Sequence, residues 1–412
     1  MINLYIFNEA NKGPLYGIGT YNHELSLAAH QSRINVCIIH LWSNKKQMQT
    51  EEANGIKHWF FPAPVSVPQT IDYGTRIEQY YTNIVYLLKL YIEKINDLIF
   101  HLNYQQSGKL AEALKEAFDC RIVTAIHHFE WGYLLLGNVT RFKKIVSSNN
   151  DDLPEVIDNR VMSIYRSEKN FYEKVDHIIC LSKNTQQIIW DDYQIKPDKT
   201  TLIYNGLNES TLIADKRALR QQYNIPDSPV ILFVGRLHYI KGLMYALRAF
   251  RLVLEKLPDC HFIIAGNGSI DMYKQEFEAT GKHITLTGLI DRDRLYDLYS
   301  IADIGVMPSF HEQCSYVAIE MMMFGIPLIA STSTGLREMV EDGVTGLHIP
   351  VEEYPDRVEI NSSLLAEKML YLLQHPQERK RMGQNARKRY ELLYSAEVFR
   401  QKIFDFYQSV SV

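Results

Sequence analysis

Short runs of β-branched and aromatic residues alternate along this chain with longer segments of helical spacing, and the rhythm runs through twice. The first series holds "INLYIF" (2–7), a helical stretch from about Thr20, "INVCIIHLW" (34–42), a long helical span around 76–99, "RIVTAIHH" (121–128) and "HIICLS" (177–182). After "TLIYNGLNES" it restarts as "VILFVG" (230–235), "HFIIAG" (261–266), "ITLTG" (284–288), "DIGVMP" (303–308) and "PLIAS" (327–331), each followed by a helical pattern. Such alternation demands parallel strands covered by helices on both faces. At 412 residues the chain exceeds what one core serves, so two doubly wound, Rossmann-like domains of roughly 200 residues each are expected. The boundary falls between 205 and 228, which gives a first domain over 1–205 and a second over 206–391. The charged helical tail, about 392–412, has no strand left to cross to and is expected to pack back on the first domain. An irregular polar stretch, 137–160, fits neither pattern.

Composition removes several function classes. Apolar residues make up 46% and charged residues 22%, which argues against disorder and against a fibrous repeat. A net charge of −4 gives no reason to expect nucleic acid as a partner. The five cysteines are scattered through apolar runs, a pattern of buried thiols in a reducing compartment that excludes a disulfide frame and a zinc site. No secretory leader and no window of about 18 uninterrupted apolar residues is present, so a cytoplasmic location is expected. Peripheral membrane contact stays open through "YTNIVYLLKLYIEKINDLIF", which either lies on a bilayer or, as favoured here, covers the sheet as a helix.

In doubly wound sheets ligands bind beyond the carboxyl ends of the strands. The first such loop, "GPLYGIGTYNHEL" (13–25), places Gly17 and Gly19 where a strand gives way to a helix, so the backbone can approach an anion closely. The next strand ends "IIHLW" without the carboxylate that would hold a dinucleotide ribose, which argues against a nicotinamide or flavin site. His127 and His128 end another strand on opposite faces, and one of them is expected to face a cleft between the two domains; no further residue at short spacing implies a metal. In "GRLHYIKG", Arg236 and Lys241 lie five apart across a turn bracketed by Gly235 and Gly242, a spacing that lets a planar fork and a mobile point charge converge on one diphosphate. The loop "AGNGS" follows the next strand.

The stretch "PSFHEQCSYVAIEMMMFG" (308–325) adds two carboxylates at a further carboxyl edge. A helix beginning near Ser315 or Tyr316 would present backbone amides to a phosphate, with Glu312 before the cap and Glu320 one turn in. Carboxylates beside a phosphate are better suited to accept hydrogen bonds from neutral hydroxyls. Two hydroxyl-rich groups flanking a diphosphate describe a nucleotide sugar. Glu320 sits amid "VAIEMMMF", where an unpaired charge would be expensive.

The run from "VGRLHYIKGL" through "IIAGNG" to "SFHEQCSYVAIEMMMFGIPLIASTSTGLREMVEDGVTGLHIP" resembles the donor domain of the family 4 retaining glycosyltransferases, of the GT-B fold, over about 120 residues. It includes that family's pair of glutamates eight apart, as Glu312 and Glu320, and "YGIGTYNHEL", "DHIICLSKNTQQII" and "IYNGLN" extend the likeness more loosely into the first half. The resemblance implies two Rossmann-like domains facing across a cleft. It implies that Arg236 and Lys241 bind the donor diphosphate, that Glu320 holds the ribose, and that Glu312 contacts the transferred sugar. The amides of Ser315, Tyr316 and Val317 would lie on the phosphates, with Gly17, Gly19, Gly266 and Asn267 completing the donor-binding set. His127 matches the strand-end histidine that contacts the sugar in relatives, while His128 stands where an acid is common. Where many relatives read Glu-Pro-Phe-Gly, this chain reads Glu312-Gln313-Cys314-Ser315, so Ser is the small residue under the phosphate.

The function expected is a retaining, metal-independent hexosyltransferase that uses a UDP- or GDP-type nucleoside diphosphate sugar as co-substrate, a hydroxyl acceptor and no cofactor. A GT-B sugar phosphorylase or synthase, and a non-catalytic nucleotide-sugar-binding protein, are the alternatives. The unplaced stretch 137–160 is assigned to acceptor recognition. The sugar, the base, the acceptor and the oligomeric state are not written in the sequence.

Overall fold

The computed structural model describes residues 1–9, 17–64, 73–92, 96–103, 108–148, 155–209, 215–223, 225 and 227–411. The chain divides into two compact units, 1–127 with 149–208 and 396–412, and 128–148 with 209–395. Among the described residues no helix is long and apolar enough to cross a membrane.

The first unit is built on eight strands: β1 (Asn3–Glu9), β2 (Asn35–Ser43), β3 (Gln49–Ala53), β4 (Ile56–Pro62), β5 (Leu98–Leu102), β6 (Arg121–Ile126), β7 (His177–Cys180) and β8 (Thr200–Leu202). Their order is β3-β4-β2-β1-β5-β6-β7-β8, parallel throughout except that β3 runs antiparallel to β4. Every residue of β1 is buried, as a strand covered on both faces requires. The β3–β4 hairpin turns on Asn54 and Gly55, both at positive φ, the dipeptide that suits a tight two-residue connection. The helical span read over 76–99 is corrected here. The helix stops at Tyr91, Asp97 takes a left-handed conformation, and "LIFHL" becomes the fully buried β5. An apolar run of this length has no helical face to expose, and pairing between β1 and β6 decides its state.

The second unit carries β9 (Val230–Val234), β10 (His261–Ala265), β11 (Ile284–Gly288), β12 (Ile304–Met307), β13 (Leu328–Ser331) and β14 (Gly346–Ile349). The order β11-β10-β9-β12-β13-β14, all parallel, is that of a dinucleotide-type Rossmann sheet, with the winding direction reversing between β9 and β12. The loops that follow β9 and β12 therefore open at the crevice where such sheets hold ligands.

Part of the stretch 137–160, expected to be irregular, is helical: Val139–Val146 forms one helix and Val156–Lys174 the next, while 149–154 lie outside the described residues. The helix Val139–Val146 is fastened to the second unit. Asn138 caps it and donates to the Tyr354 carbonyl (2.7 Å), and the Glu353 carboxylate accepts from the Val139 and Thr140 amides (3.3 and 2.9 Å).

Candidate functional site

In the second unit three loops are welded together by backbone contacts. Gly235 N–H donates to the Ala265 carbonyl (2.9 Å), Leu237 N–H to the Asn267 carbonyl (2.8 Å), and Phe310 N–H to the Ile240 carbonyl (2.8 Å). Two glycines make this approach feasible. A Cβ on Gly266 (φ 146°) would stand 1.9 Å from the Gly235 oxygen, and one on Gly242 (φ 68°) 1.9 Å from the Pro308 oxygen. Arg236, Lys241, Asn267 and Glu312 are thus mounted on one rigid frame rather than on independent loops.

Lys241 and Glu312, expected to serve different parts of a ligand, form an ion pair whose side chains are 19% and 12% exposed. Arg236 Nη2 donates to the hydroxyl of Tyr133 (3.4 Å). Both cations still act on His238, which stays below the usual imidazole range through burial and then through Arg236 and Lys241. Glu312 is pinned on each side of its peptide, since its N–H donates to Thr334 Oγ1 (3.0 Å) and its carbonyl accepts from Gly335 N–H (2.8 Å).

The helix Tyr316–Met323 starts where the sequence places it, with Ser315 as N-cap accepting from the Ala318 amide (3.4 Å). The Ser315 amide donates to the thioether of Met339 (3.2 Å), a weak acceptor. Glu320 is buried on this helix. Tyr299, itself fully buried on the helix Arg292–Ile301, donates its hydroxyl to Glu320 Oε2 (2.7 Å). Burial pushes the Glu320 carboxyl up to about 7, against the lowering effects of that hydrogen bond and of the Arg292 charge.

Residues 128–148 bring aromatic side chains to the same loops. Trp131 stacks on Phe142 (4.0 Å between centroids) and lies beside His311, while His128 meets the edge of Tyr133 (5.2 Å). A Cβ on Gly132 would fall 2.4 Å from His311 Nε2. Burial, followed by the charges of His128 and Lys241, drops the His311 imidazole to about 3, so it stays neutral.

The first unit presents a different set. Gly17 and Gly19 open the helix Gly17–Gln31, while 13–16 of their motif lie outside the described residues. His127 follows the end of β6, its Nε2 2.9 Å from Asn103 Oδ1 and its ring 4.6 Å from that of Tyr21. Asn103, at the end of β5, donates to Asn22 Oδ1 (2.6 Å) and the Phe7 carbonyl (3.3 Å); Asn22 donates to Asn8 Oδ1 (3.1 Å). Asn8 meets His40 Nδ1 (3.3 Å), and His40 Nε2 meets His58 Nδ1 (3.0 Å). On the other side, His101 joins Asn103 Oδ1 (3.2 Å) to the hydroxyl of Tyr407 (2.7 Å).

The sequence signature described as "Glycosyltransferase Family 4" matches residues 16–211, and that of "Glycosyl transferases group 1" matches 215–389. The chain belongs to the family 4 glycosyltransferases of the GT-B fold. The chain is 32% identical over 177 residues to an alpha-D-kanosaminyltransferase of Streptomyces kanamyceticus, a match covering 42% of this chain and 44% of that one. It is 27% identical over 282 residues to a D-inositol 3-phosphate glycosyltransferase of Corynebacterium aurimucosum, covering 65% and 63% of the two chains. The matched region is thus less than half the length of the first relative and under two thirds of the second. Among solved structures, sucrose-phosphate synthase from Thermosynechococcus elongatus superposes with a TM-score of 0.76 at 22% identity, over 100% of this chain and 99% of that one. HepE of Anabaena, in complex with UDP and glucose, gives 0.72 at 17% identity over the whole of both chains.

Sequence reasoning reached the residues of the chain that carry charge and missed the polar partners that hold them: Thr334, Tyr299 and Tyr133 in one unit, Asn22 and Asn103 in the other. A signal existed for Tyr299, whose place on a helical run against "VAIEMMMF" makes it the kind of hydroxyl a buried carboxylate needs. For the asparagines there was none, because an amide side chain looks the same in a turn as in a core.

Proposed function

We infer that the chain is a retaining, metal-independent glycosyltransferase that moves a hexose from a nucleoside diphosphate sugar of UDP or GDP type to an acceptor hydroxyl. The observation that carries this reading is the Lys241–Glu312 pair, set at the point where the sheet's winding reverses and braced by Thr334 and Gly335. A partly buried cation that gives one proton to a carboxylate keeps two for phosphate oxygens. Glu312 cannot retreat when they arrive, because its backbone is held on both sides, and it is left to accept from a sugar hydroxyl. Arg236 adds a second fixed charge on the same frame, and the amides of Tyr316 and Val317 lie in the first turn of their helix, where they favour an anion. The Ser315 amide can exchange its thioether for a phosphate oxygen. Gly17 and Gly19, at the start of their helix, are assigned to the donor phosphate and acceptor side, and His127 to the transferred sugar.

Glu320 is suited to the ribose. Its Oε2 is engaged by Tyr299, which leaves Oε1 and the remaining lone pairs to accept from the two ribose hydroxyls. As the glycosidic bond breaks, negative charge grows on the departing diphosphate, and Arg236, Lys241 and the helix amides stabilise it where it forms. No protein nucleophile is required. The reading is supported by the UDP and glucose held by HepE, whose fold this chain shares.

The test is turnover of UDP- and GDP-hexoses with a panel of hydroxyl acceptors in the presence of EDTA, with the anomeric configuration of the product read by NMR. A glycoside of unchanged anomeric configuration is expected. An inverted product, or donor binding without transfer to any acceptor, would overturn the reading.

A further inference from the structure

The two peptide units that flank the Glu312 Cα share one side-chain partner, Thr334, on the loop that follows β13. Thr334 Oγ1 accepts from the Glu312 N–H at 3.0 Å and donates its own proton to the Glu312 carbonyl, which also accepts from the Gly335 N–H at 2.8 Å. The N–H belongs to the peptide before Glu312 and the carbonyl to the peptide after it, so holding both leaves neither backbone torsion of Glu312 free, and the direction of its Cβ follows. The loop that carries Thr334 is itself anchored. Ser331 Oγ donates to the Ser309 carbonyl, Thr332 N–H donates to the Ile349 carbonyl at 2.9 Å, and Thr332 Oγ1 accepts from the Val351 N–H at 3.1 Å. The hydroxyl reaches its place at a conformational cost. Thr334 has φ 26°, and no other β-branched residue sits at positive φ among the described residues, a region that glycine enters freely and threonine does not. Branching at Cβ also restricts χ1, which keeps the hydroxyl on Glu312. A strained residue persists where the surrounding contacts over-determine it, and such residues gather at functional sites. The carboxylate on this clamped backbone is one half of the Lys241–Glu312 pair.

Resting on the assignment of Glu312 to the transferred sugar, we propose that Thr334 is a positioning residue, whose hydroxyl fixes the Glu312 backbone so that the carboxylate keeps its aim when Lys241 turns to the diphosphate. The ion pair cannot supply that aim by itself, since an ammonium on a flexible stem attracts a carboxylate from any direction and is the group that moves when phosphate arrives. The clamp acts on the main chain and is indifferent to where Lys241 points. What Thr334 adds is preorganisation of a group whose contact strengthens as the sugar's bond to phosphate breaks, which places its effect in turnover rather than in donor binding. Glycine would meet the backbone requirement without strain, so the hydroxyl and the conformation can be separated by substitution.

The experiment compares Thr334→Val, Thr334→Ser and Thr334→Gly in the full chain by steady-state kinetics, thermal melts and amide hydrogen exchange at Glu312, followed by nitrogen-15 NMR. Thr334→Val keeps the branch and loses the hydroxyl, so kcat should fall about tenfold with the donor KM within about twofold, and exchange of the Glu312 N–H should quicken by about tenfold or more. Thr334→Ser returns the hydroxyl and should recover most of the turnover and the slow exchange. Thr334→Gly should lose turnover as Thr334→Val does while melting no lower than that variant, because glycine takes positive φ without strain. That outcome separates loss of aim from loss of folding. In a Glu312→Ala background Thr334→Val should cost little further turnover, since residues that act through one contact are not additive. Unchanged kcat in Thr334→Val, or an equal loss with and without the Glu312 side chain, would overturn the proposal. Full transfer activity in Glu312→Ala alone would instead overturn the assignment of Glu312 to the sugar, and exchange at Glu312 would still decide whether Thr334 holds its backbone.

Discussion

The two Rossmann-like units use the same edge of the same kind of sheet in opposite electrical ways. At the carboxyl edge of the first, the hydrogen-bonded side chains are amides, imidazoles and a tyrosine, beside the buried Glu9 that ends β1, and burial keeps His101 and His40 neutral. At that of the second, Lys241, Arg236 and Glu312 bring full charges to one frame, and Glu320 adds a buried carboxyl on the helix Tyr316–Met323. A neutral network can be long, because each link satisfies the next without a desolvated charge, and what it delivers is orientation. A charged frame must be short and stiff, since every partly buried ion needs its partner close by. What a doubly wound sheet can bind follows from which of these its edge carries.

The contrast breaks most visibly at Lys241. Replacing it with alanine removes a cation from the leaving group and strands Glu312 without a partner, so kcat/KM for donor should fall roughly a hundredfold to a thousandfold. A fall of less than tenfold in steady-state kinetics would mean the charged frame is scaffolding. Next come the two carboxylates, each worth about 1.5 to 3 kcal/mol, or tenfold to over a hundredfold. Glu312→Ala should mainly lower kcat, because its sugar contact changes as the bond breaks, whereas Glu320→Ala should mainly raise the donor KM. Equal, purely KM effects would reduce Glu312 to a binding residue.

A smaller effect separates the units by pH. Glu320 sits near 7 in the folded protein against an ordinary 4.5, so the native state holds a proton that the unfolded chain has already lost. The associated stability is present below pH 4.5 and drains away as pH rises toward 7, by of order 3 kcal/mol in total. Melting curves of Glu320→Gln against the wild type across that window should show the decline flattened in the variant. The smallest effect expected is none: EDTA should leave transfer within about twofold, because protein cations carry the leaving-group charge. Loss of more than half the activity, restored by magnesium, would refute this.

Most strands of the second unit, and the start of the helix at Tyr316, could be read directly from the sequence, because buried parallel strands and N-caps are local patterns. β5 could not, since "KINDLIF" continues a helical rhythm until Asp97 turns the chain, and the decision belongs to the neighbouring strands. The hairpin at Asn54 and Gly55 was legible and overlooked. In the site, glycine spacing and the paired glutamates pointed to the charged residues. The Lys241–Glu312 pairing spans 71 positions, and Asn103 reaches Asn22 across 81, distances over which no periodicity speaks.

The fastening of residues 128–148 to the second unit, through Gly132 under His311 and the Glu353 carboxylate on the helix Val139–Val146, has a bearing on how the protein is made. Emerging from the ribosome, this segment must wait for some two hundred further residues before the surface it fits exists. The first unit waits longer still, as Tyr407 and Phe399, which pack on His101 and Tyr21, arrive last. Neither unit can be finished as a local event, and excising residues 209–395 would yield a sheet lacking the aromatic cover that its own binding loops require.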